Sequence, residues 1–118
     1  MKLRAYVMEV SERGVVFSGY FREIENSAET LRKWLGGAYE LVRLEDEIVI
    51  LCRRQEDSLP LNRMLVKEDE KGRLLRGSLL CLRCREERFY SLREEDEAVI
   101  RERLKPVFCL NGRMVIGE

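Results

Sequence analysis

The chain has 118 residues, of which 45% are apolar and 37% are charged, so it is long enough for one domain with a hydrophobic core and too short for two ordinary ones. Its 22 basic residues balance its 22 acidic residues, whereas a dedicated DNA-binding domain usually carries a basic excess. The absence of histidine excludes imidazole catalysis, including the Ser-His and Cys-His nucleophile pairs.

An alternating N-terminal segment predicts a first β-hairpin. Apolar residues alternate over 2–10, turn residues occupy 11–14, and a second strand is predicted over 15–24. Gly19 inside that strand indicates a bulge or a close approach of the backbone to another residue.

A short amphipathic helix is predicted over residues 28–35. Asn26 is the expected N-cap, with Glu29 three residues later as its capping-box partner. Gly36 is placed to end the helix in the left-handed conformation, and Gly37 lets the chain turn again.

A second hairpin is predicted from strands 38–44 and 48–53, joined by the acidic turn 45–47. The apolar run that opens the later strand is typical of a central strand covered on both faces. Segment 54–77 is the least regular part of the chain. We expect two solvated loops there, flanking an apolar stretch, 59–66, that packs on the core.

A third hairpin is predicted from strands 78–83 and 88–90. A second helix then begins at Ser91, with Glu94 as its capping-box partner, and Pro106 ends it.

The last predicted element is a C-terminal hairpin over residues 107–117, because Asn111 and Gly112 lie between two apolar runs. The order of elements predicts a single α+β domain over 1–118, with a mostly antiparallel sheet built from hairpins and with two helices.

Three short motifs occur in a fixed order: Gly-Gly-x-x-Glu, Leu-Pro-x-Asn-Arg and a Ser-Leu that opens an acidic segment. In this order they resemble a catalogued family of bacterial domains of unknown function found on phages and conjugative elements. The resemblance covers about residues 4–104 and implies a mobile-DNA context without a known activity. The positions that carry it are Gly36, Gly37, Glu40, Cys52, Leu59, Pro60, Asn62, Arg63, Gly77, Ser91 and Leu92.

The four cysteines, Cys52, Cys81, Cys84 and Cys109, are the candidate metal ligands. A structural zinc site usually takes two close pairs, and only Cys81 and Cys84 form one. Three positions apart on a strand, those two side chains point to opposite faces. We therefore interpret the cysteines as core residues and expect no cofactor, with a four-cysteine zinc site as the alternative.

Asn62 and Arg63 have two interpretations. In the structural one, Asn62 caps a local turn and Arg63 pairs with a carboxylate such as Glu40. In the functional one, Arg63 faces outward and binds a phosphate or a partner's carboxylate with two parallel hydrogen bonds.

Segment 71–88 is a second candidate binding site, because six of its residues are basic and two are acidic. Such a segment is suited to a nucleic-acid backbone or to an acidic protein surface, and a charged sheet edge that resists pairing explains it equally. The acidic runs elsewhere are interpreted as turns and helix starts that face water. The basic residues of the segment are Lys71, Arg73, Arg76, Arg83, Arg85 and Arg88.

No segment is suited to a membrane or to export. The longest apolar run, 48–52, falls far short of the roughly 20 residues of a membrane span, and the N-terminus lacks a signal-peptide core. We therefore expect a cytoplasmic protein with reduced thiols and no membrane partner.

These patterns contain no phosphate-binding glycine motif and no catalytic pair, so the leading hypothesis is a binding protein and not an enzyme. We expect an accessory protein of a mobile genetic element that binds a host or element-encoded protein, most concretely as an inhibitor of a CRISPR effector or restriction enzyme. The alternatives are a nucleic-acid-binding or regulatory module that uses 71–88 and a zinc-stabilised module. A homodimer through a free sheet edge is a further expectation.

Overall fold

The computed structural model describes residues 1–67, 70–110 and 112–117. Within these residues the chain forms ten strands and two eight-residue helices, α1 (Ala28–Leu35) and α2 (Asp96–Arg103). The strands are β1 (Lys2–Met8), β2 (Tyr20–Glu25), β3 (Tyr39–Glu45), β4 (Ile48–Arg53), β5 (Leu61–Lys67), β6 (Glu70–Arg76), β7 (Leu79–Arg85), β8 (Arg88–Tyr90), β9 (Leu104–Leu110) and β10 (Arg113–Ile116).

The strands form two antiparallel sheets. The first has the order β2-β1-β7-β4-β3, with β8 beside β7, and the second has the order β10-β9-β5-β6. Sequential hairpins build most of both, as predicted, while the antiparallel pairs β1–β7, β4–β7 and β5–β9 join hairpins that are distant in sequence. The α+β prediction is confirmed as one compact domain of antiparallel sheets and two helices in which strands dominate.

The two faces of the first sheet carry separate core clusters. Leu31 and Leu35 of α1 pack on one face, against residues such as Leu51 and Leu80. The other face packs against the second sheet and α2 through a larger cluster that includes Ile50. As predicted, β4 is covered on both faces, and each of its first five residues is buried.

The expected loop over 54–60 and the core packing of 59–66, through Leu65, are confirmed, but the rest of the segment is not a loop, because β5 and β6 form a hairpin there. Two features hide this hairpin in the sequence. Buried polar residues at 62 and 63 interrupt the apolar alternation of β5. The register of the hairpin also shifts twice, which breaks the period of two that identifies a strand.

The first hairpin also differs from its prediction, because β2 begins at Tyr20 and not near residue 15. Residues 9–19 form a loop in which Val10 and Val16 make an isolated bridge. Gly19 ends the loop with its backbone against the ring of Tyr6, and a Cβ at that position would overlap the carbon atoms of that ring. The predicted close approach at Gly19 is therefore confirmed.

Helix α1 has its predicted extent but a different N-cap. The side-chain oxygen of Ser27, and not that of Asn26, accepts the hydrogen bond from the Thr30 amide at 3.1 Å. Gly36 ends the helix as predicted, with φ of 84°, and donates its amide to the Arg32 carbonyl at 2.8 Å.

The predicted start of α2 at Ser91 is wrong, because the helix begins at Asp96. The side chain of Ser91 instead accepts a hydrogen bond from the Arg4 amide at 2.9 Å, and the Leu92 amide donates to the Arg4 carbonyl at the same distance. These bonds hold the chain against β1 before the helix begins, so Ser91 is unavailable as a cap.

The C-terminal hairpin is confirmed, with Leu110 opposite Arg113 and Gly112 at φ of 77°, while Asn111 lies outside the described residues. Its first strand, β9, begins at Leu104, before Pro106. Residues 104–106 of β9 pair with β5, and residues 107–110 pair with β10. In the described part of the chain, neither helix is long and apolar enough to cross a membrane.

We expect the substitution Gly36→Ala to lower the free energy of unfolding by about 1 kcal/mol, because a Cβ is strained in the left-handed conformation. Gly36→Asn is the matched control and should cost less, since asparagine tolerates this conformation better. Urea denaturation of the three proteins measures the difference. Equal stability of Gly36→Ala and the parent would contradict the assigned role of Gly36.

Candidate functional site

The Leu-Pro-x-Asn-Arg motif forms a buried junction between the two sheets. Asn62, which is fully buried on β5, donates from its side-chain nitrogen to the carbonyls of Met8 at 3.0 Å and Gly77 at 2.9 Å. The Gly77 amide in turn donates to the carbonyl of Pro60 at 2.8 Å. The motif and Gly77 therefore belong to one hydrogen-bonded unit, and the prediction that Asn62 caps a local turn is replaced by a long-range contact.

Arg63 is buried as well, with only 5% of its surface exposed. Its Nη1 donates to the side-chain oxygen of Asn62 at 2.7 Å, and its Nη2 donates to the carbonyl of Phe17 at 2.8 Å. The suggested pairing with Glu40 is wrong, because Glu40 lies 3.5 Å from Arg73 instead. Among the described residues, no carboxylate lies within ion-pair distance of Arg63.

A cavity of about 250 Å³ lies beside Arg63, between the loop 9–19, α2 and β9. Burial, followed by the nearby Glu97 carboxylate, raises the pKa of Tyr6 to about 12, so its hydroxyl stays protonated at neutral pH. Burial also lowers the pKa of the Arg63 guanidinium, which nevertheless remains charged. The residues that line the cavity include Tyr6, Phe17, Arg63, Arg101, Leu104 and Phe108.

Arg83, from the basic segment 71–88, forms an internal ion pair with Asp96. It holds Asp96 with two parallel hydrogen bonds, of 2.8 Å from Nε and 2.7 Å from Nη2. Asp96 is 3% exposed and also accepts the Arg93 amide at 2.7 Å. Burial alone raises the pKa of Asp96, but these hydrogen bonds outweigh it and hold the pKa below its usual value. The pair fixes the start of α2 to β7.

The other arginines of this segment are divided between the two sheets. On β6, Arg73 lies near Glu40, and Arg76 donates to the carbonyl of Leu59 at 2.9 Å. Arg85 stacks on the ring of Tyr90, 5.3 Å from its centroid, and Arg88 is exposed on β8. The structure therefore does not bring the predicted basic residues together on one sheet. The side chain of Lys71 lies outside the described residues.

The four cysteines are divided between the two faces of the first sheet and strand β9 of the second sheet. Cys52 and Cys81 are buried in the larger core cluster, where burial raises the pKa of Cys52 to about 11 and that of Cys81 further. Cys84 is half-buried on the opposite face of β7, and Cys109 is exposed on β9. The core interpretation is thus confirmed for Cys52 and Cys81 and wrong for Cys109. In the described ranges, no three or more His, Cys, Asp or Glu residues form a group that would hold a metal ion.

The sequence did not reveal that β10 is exposed along its whole length. Met114 is 48% exposed, and Val115 and Ile116 are 40% and 39% exposed. Phe108, which pairs with Val115 across the hairpin, is 39% exposed. The apolar run predicted a strand correctly, but an apolar strand is expected to be buried, and both faces of β10 are exposed. Within the described chain, β10 pairs only with β9, so its outer edge is free.

Basic residues are concentrated in the second sheet. Its four strands contain seven basic residues and one acidic residue, Glu70. Lys105 and Arg113, on the two C-terminal strands, make no ion pair with any residue whose side chain the structure describes. The seven basic residues are Arg63, Lys67, Lys71, Arg73, Arg76, Lys105 and Arg113.

The fold and the buried Asn-Arg junction define a small, strand-rich α+β domain. The chain belongs to the family described as Domain of unknown function (DUF3846), whose model matches residues 4–105. The resemblance to a catalogued family without known function is thereby confirmed, and β10 lies outside the matched range. No curated protein and no solved structure matches the chain.

We expect Asn62→Ala to lower the free energy of unfolding by about 2–3 kcal/mol, because two buried carbonyls lose their donor and Nη1 of Arg63 loses the shorter of its two hydrogen bonds. Urea denaturation measures the loss. Asn26→Ala removes an exposed amide beside α1 and should change stability by less than about 0.5 kcal/mol. Similar losses at the two positions would contradict the role of Asn62.

The Arg83–Asp96 pair predicts a loss of stability in acid. Because the pKa of Asp96 is lower in the folded protein, the pair contributes fully above the unfolded value of about 3.9 and is lost as pH falls through the folded pKa. Asp96→Asn should cost about 2 kcal/mol at pH 7, since Glu47, 3.4 Å from Arg83, partly compensates the freed charge.

The measurement is unfolding free energy against pH for the parent, Asp96→Asn and Glu29→Gln. Glu29 makes an exposed pair with Lys33 and is the matched control. The parent and the control should lose more stability below pH 4 than Asp96→Asn does. Parallel pH profiles for all three proteins would rule out this contribution of Asp96.

Proposed function

We propose that this protein acts by binding another protein, without catalysis, and that the contact is made at the free edge of β10. The observation that carries the proposal is the exposure of three consecutive apolar residues on a strand whose outer edge is unpaired within the described chain. An exposed apolar edge strand favours aggregation unless a partner covers it.

The hydrogen-bonding pattern of the C-terminal hairpin shows which groups a partner would meet. Leu110 lies opposite Arg113 in the ladder, and the Gly117 amide donates to the Pro106 carbonyl at 2.7 Å. Because bonded pairs alternate along an antiparallel ladder, Val115 faces β9 while the backbone groups of Met114 and Ile116 face outward. We infer that an extended segment of the partner adds to β10 as a fifth strand.

Charge and side-chain chemistry indicate the kind of partner. Lys105 and Arg113, the basic residues of β9 and β10, favour an acidic surface around the added strand. Nucleic acid is acidic too, but its recognition relies on cations for phosphates and on polar or aromatic side chains for bases. The methionine and β-branched side chains of β10 offer apolar contact alone, which favours a protein partner.

The finer part of the proposal concerns the biological setting. Membership of the family, together with the phage and conjugative-element context that the resemblance implies, supports an accessory role on mobile DNA in the cytoplasm. The most concrete form is inhibition of a host nucleic-acid defence, such as a CRISPR effector or a restriction enzyme. The small size of the domain is consistent with inhibition by direct contact.

Nucleic-acid binding remains the second candidate, favoured by the basic second sheet and by the exposed Arg88 near the end of segment 71–88. The zinc-stabilised module receives no support from the positions of the four sulfurs.

The proposal is tested with purified CRISPR effectors and restriction enzymes, by measuring DNA cleavage with and without the protein. The parent should inhibit at least one effector, and Met114→Lys should weaken inhibition at least about tenfold by placing a charge on the apolar edge. Leu41→Lys makes the same change at an equally exposed position of β3, and it should leave inhibition intact.

Three outcomes would count against the proposal. Unimpaired cleavage by every CRISPR effector and restriction enzyme tested removes the inhibitor role. Salt-sensitive DNA binding that weakens with Arg88→Gln and not with Met114→Lys assigns the nucleic-acid alternative. If sedimentation shows that the parent is a dimer and that Met114→Lys is a monomer, the β10 edge binds a second copy of the chain.

A further inference from the structure

The guanidinium of Arg63 is a buried positive charge with donors still available. Of its five N–H donors, Nη1 uses its two on the side chain and carbonyl of Asn62, at 2.7 and 3.5 Å, and Nη2 uses one on Phe17. Nε has no acceptor among the described residues. All of these partners are neutral, and a buried charge without a counter-charge is costly. The site is therefore chemically suited to an anion from outside the chain.

The cavity beside Arg63 gives such an anion a place of limited size. Its volume of about 250 Å³ is slightly below the range of roughly 300–1,000 Å³ that accommodates drug-sized ligands. Leu104 and Phe108 supply apolar wall, and the Tyr6 hydroxyl, which lies beside the Glu97 carboxylate, is a further polar group of the lining. These walls fit one oxyanion group that carries a few carbon atoms.

The charges around the cavity favour a single negative charge. Arg63 lies at the wall and the exposed Arg101 lies at the rim, so two cations face the ligand. Glu97 lies close enough to Tyr6 to raise its pKa, so its carboxylate would repel an anionic ligand in the cavity. Two positive charges and one negative charge leave a local excess of one, which suits a carboxylate better than a phosphate dianion.

We propose that this cavity binds a small organic monocarboxylate, with its oxygens on the Arg63 guanidinium and its apolar part against Leu104 and Phe108. This inference does not rest on the proposed function, although Phe108 of the cavity wall pairs with Val115 of β10. The carboxylate comes from a free metabolite or from the C-terminus of a peptide, and both sources present the same group to Arg63. Ligands of so few atoms bind in the millimolar range.

The test is an NMR titration of the full ¹⁵N-labelled chain with sodium butyrate, with sodium chloride at the same ionic strength as the reference. The Nε–H resonance of Arg63 should shift saturably with butyrate and not with chloride. Arg101→Gln should weaken the apparent affinity about fivefold by removing the second cation. Arg88→Gln removes an exposed charge on β8 and should leave the affinity unchanged.

Further titrations identify the ligand class and its source. N-acetylalanine mimics a peptide C-terminus. If it binds more tightly than butyrate, the natural ligand is assigned as a peptide C-terminus, and if it binds more weakly, the natural ligand is assigned as a free carboxylate. Tighter binding of inorganic phosphate than of butyrate would overturn the monocarboxylate assignment. Absence of an Arg63 shift with all three probes in the folded parent would overturn the site itself. Because the parent carries this readout, the test does not depend on whether an Arg63 variant folds.

Discussion

The side-chain amide of Asn62 is the contact on which the arrangement of the two sheets depends. It lies on β5 of the second sheet, and it donates to Met8 at the end of β1 in the first sheet and to Gly77 before β7. Its oxygen holds Arg63, which reaches the loop 9–19 through Phe17. Because the amide is buried, each bond is strong and any unpaired member would be costly. Two adjacent residues thus connect both sheets and a loop that is distant in sequence.

The same junction explains why a charge is buried beside a cavity. Arg63 is held by neutral oxygens, so its geometry is fixed while its charge is not compensated by the described residues. Arg83 shows the contrasting arrangement, since the carboxylate of Asp96 receives it with two hydrogen bonds and the pair fastens α2 to β7. Both arginines lie on strands, but one is held by neutral oxygens and the other by a carboxylate. This difference directs attention to Arg63 as a binding group and to Arg83 as a structural one.

Most of the local elements were predictable, because each depends on neighbouring residues. The Gly36 helix end and the hairpins β3–β4, β7–β8 and β9–β10 follow from apolar periodicity and turn chemistry. The errors occur where a distant contact overrides a local signal. Ser91 has the sequence of a helix cap, but its hydroxyl is used by Arg4 of β1. The β5–β6 hairpin was missed because its buried polar residues serve the junction between sheets and obscure the strand pattern.

By itself, the sequence determined the class of the domain, the absence of histidine chemistry, the family signature and most of the hairpins. Only the tertiary structure decided that there are two sheets, that Arg63 faces inward with no described carboxylate within ion-pair distance, and that Arg83 is paired. It also decided that no described residue covers the apolar strand β10. The physical reason is that periodicity and turn residues act between near neighbours, whereas burial and pairing depend on which distant segments the fold brings together.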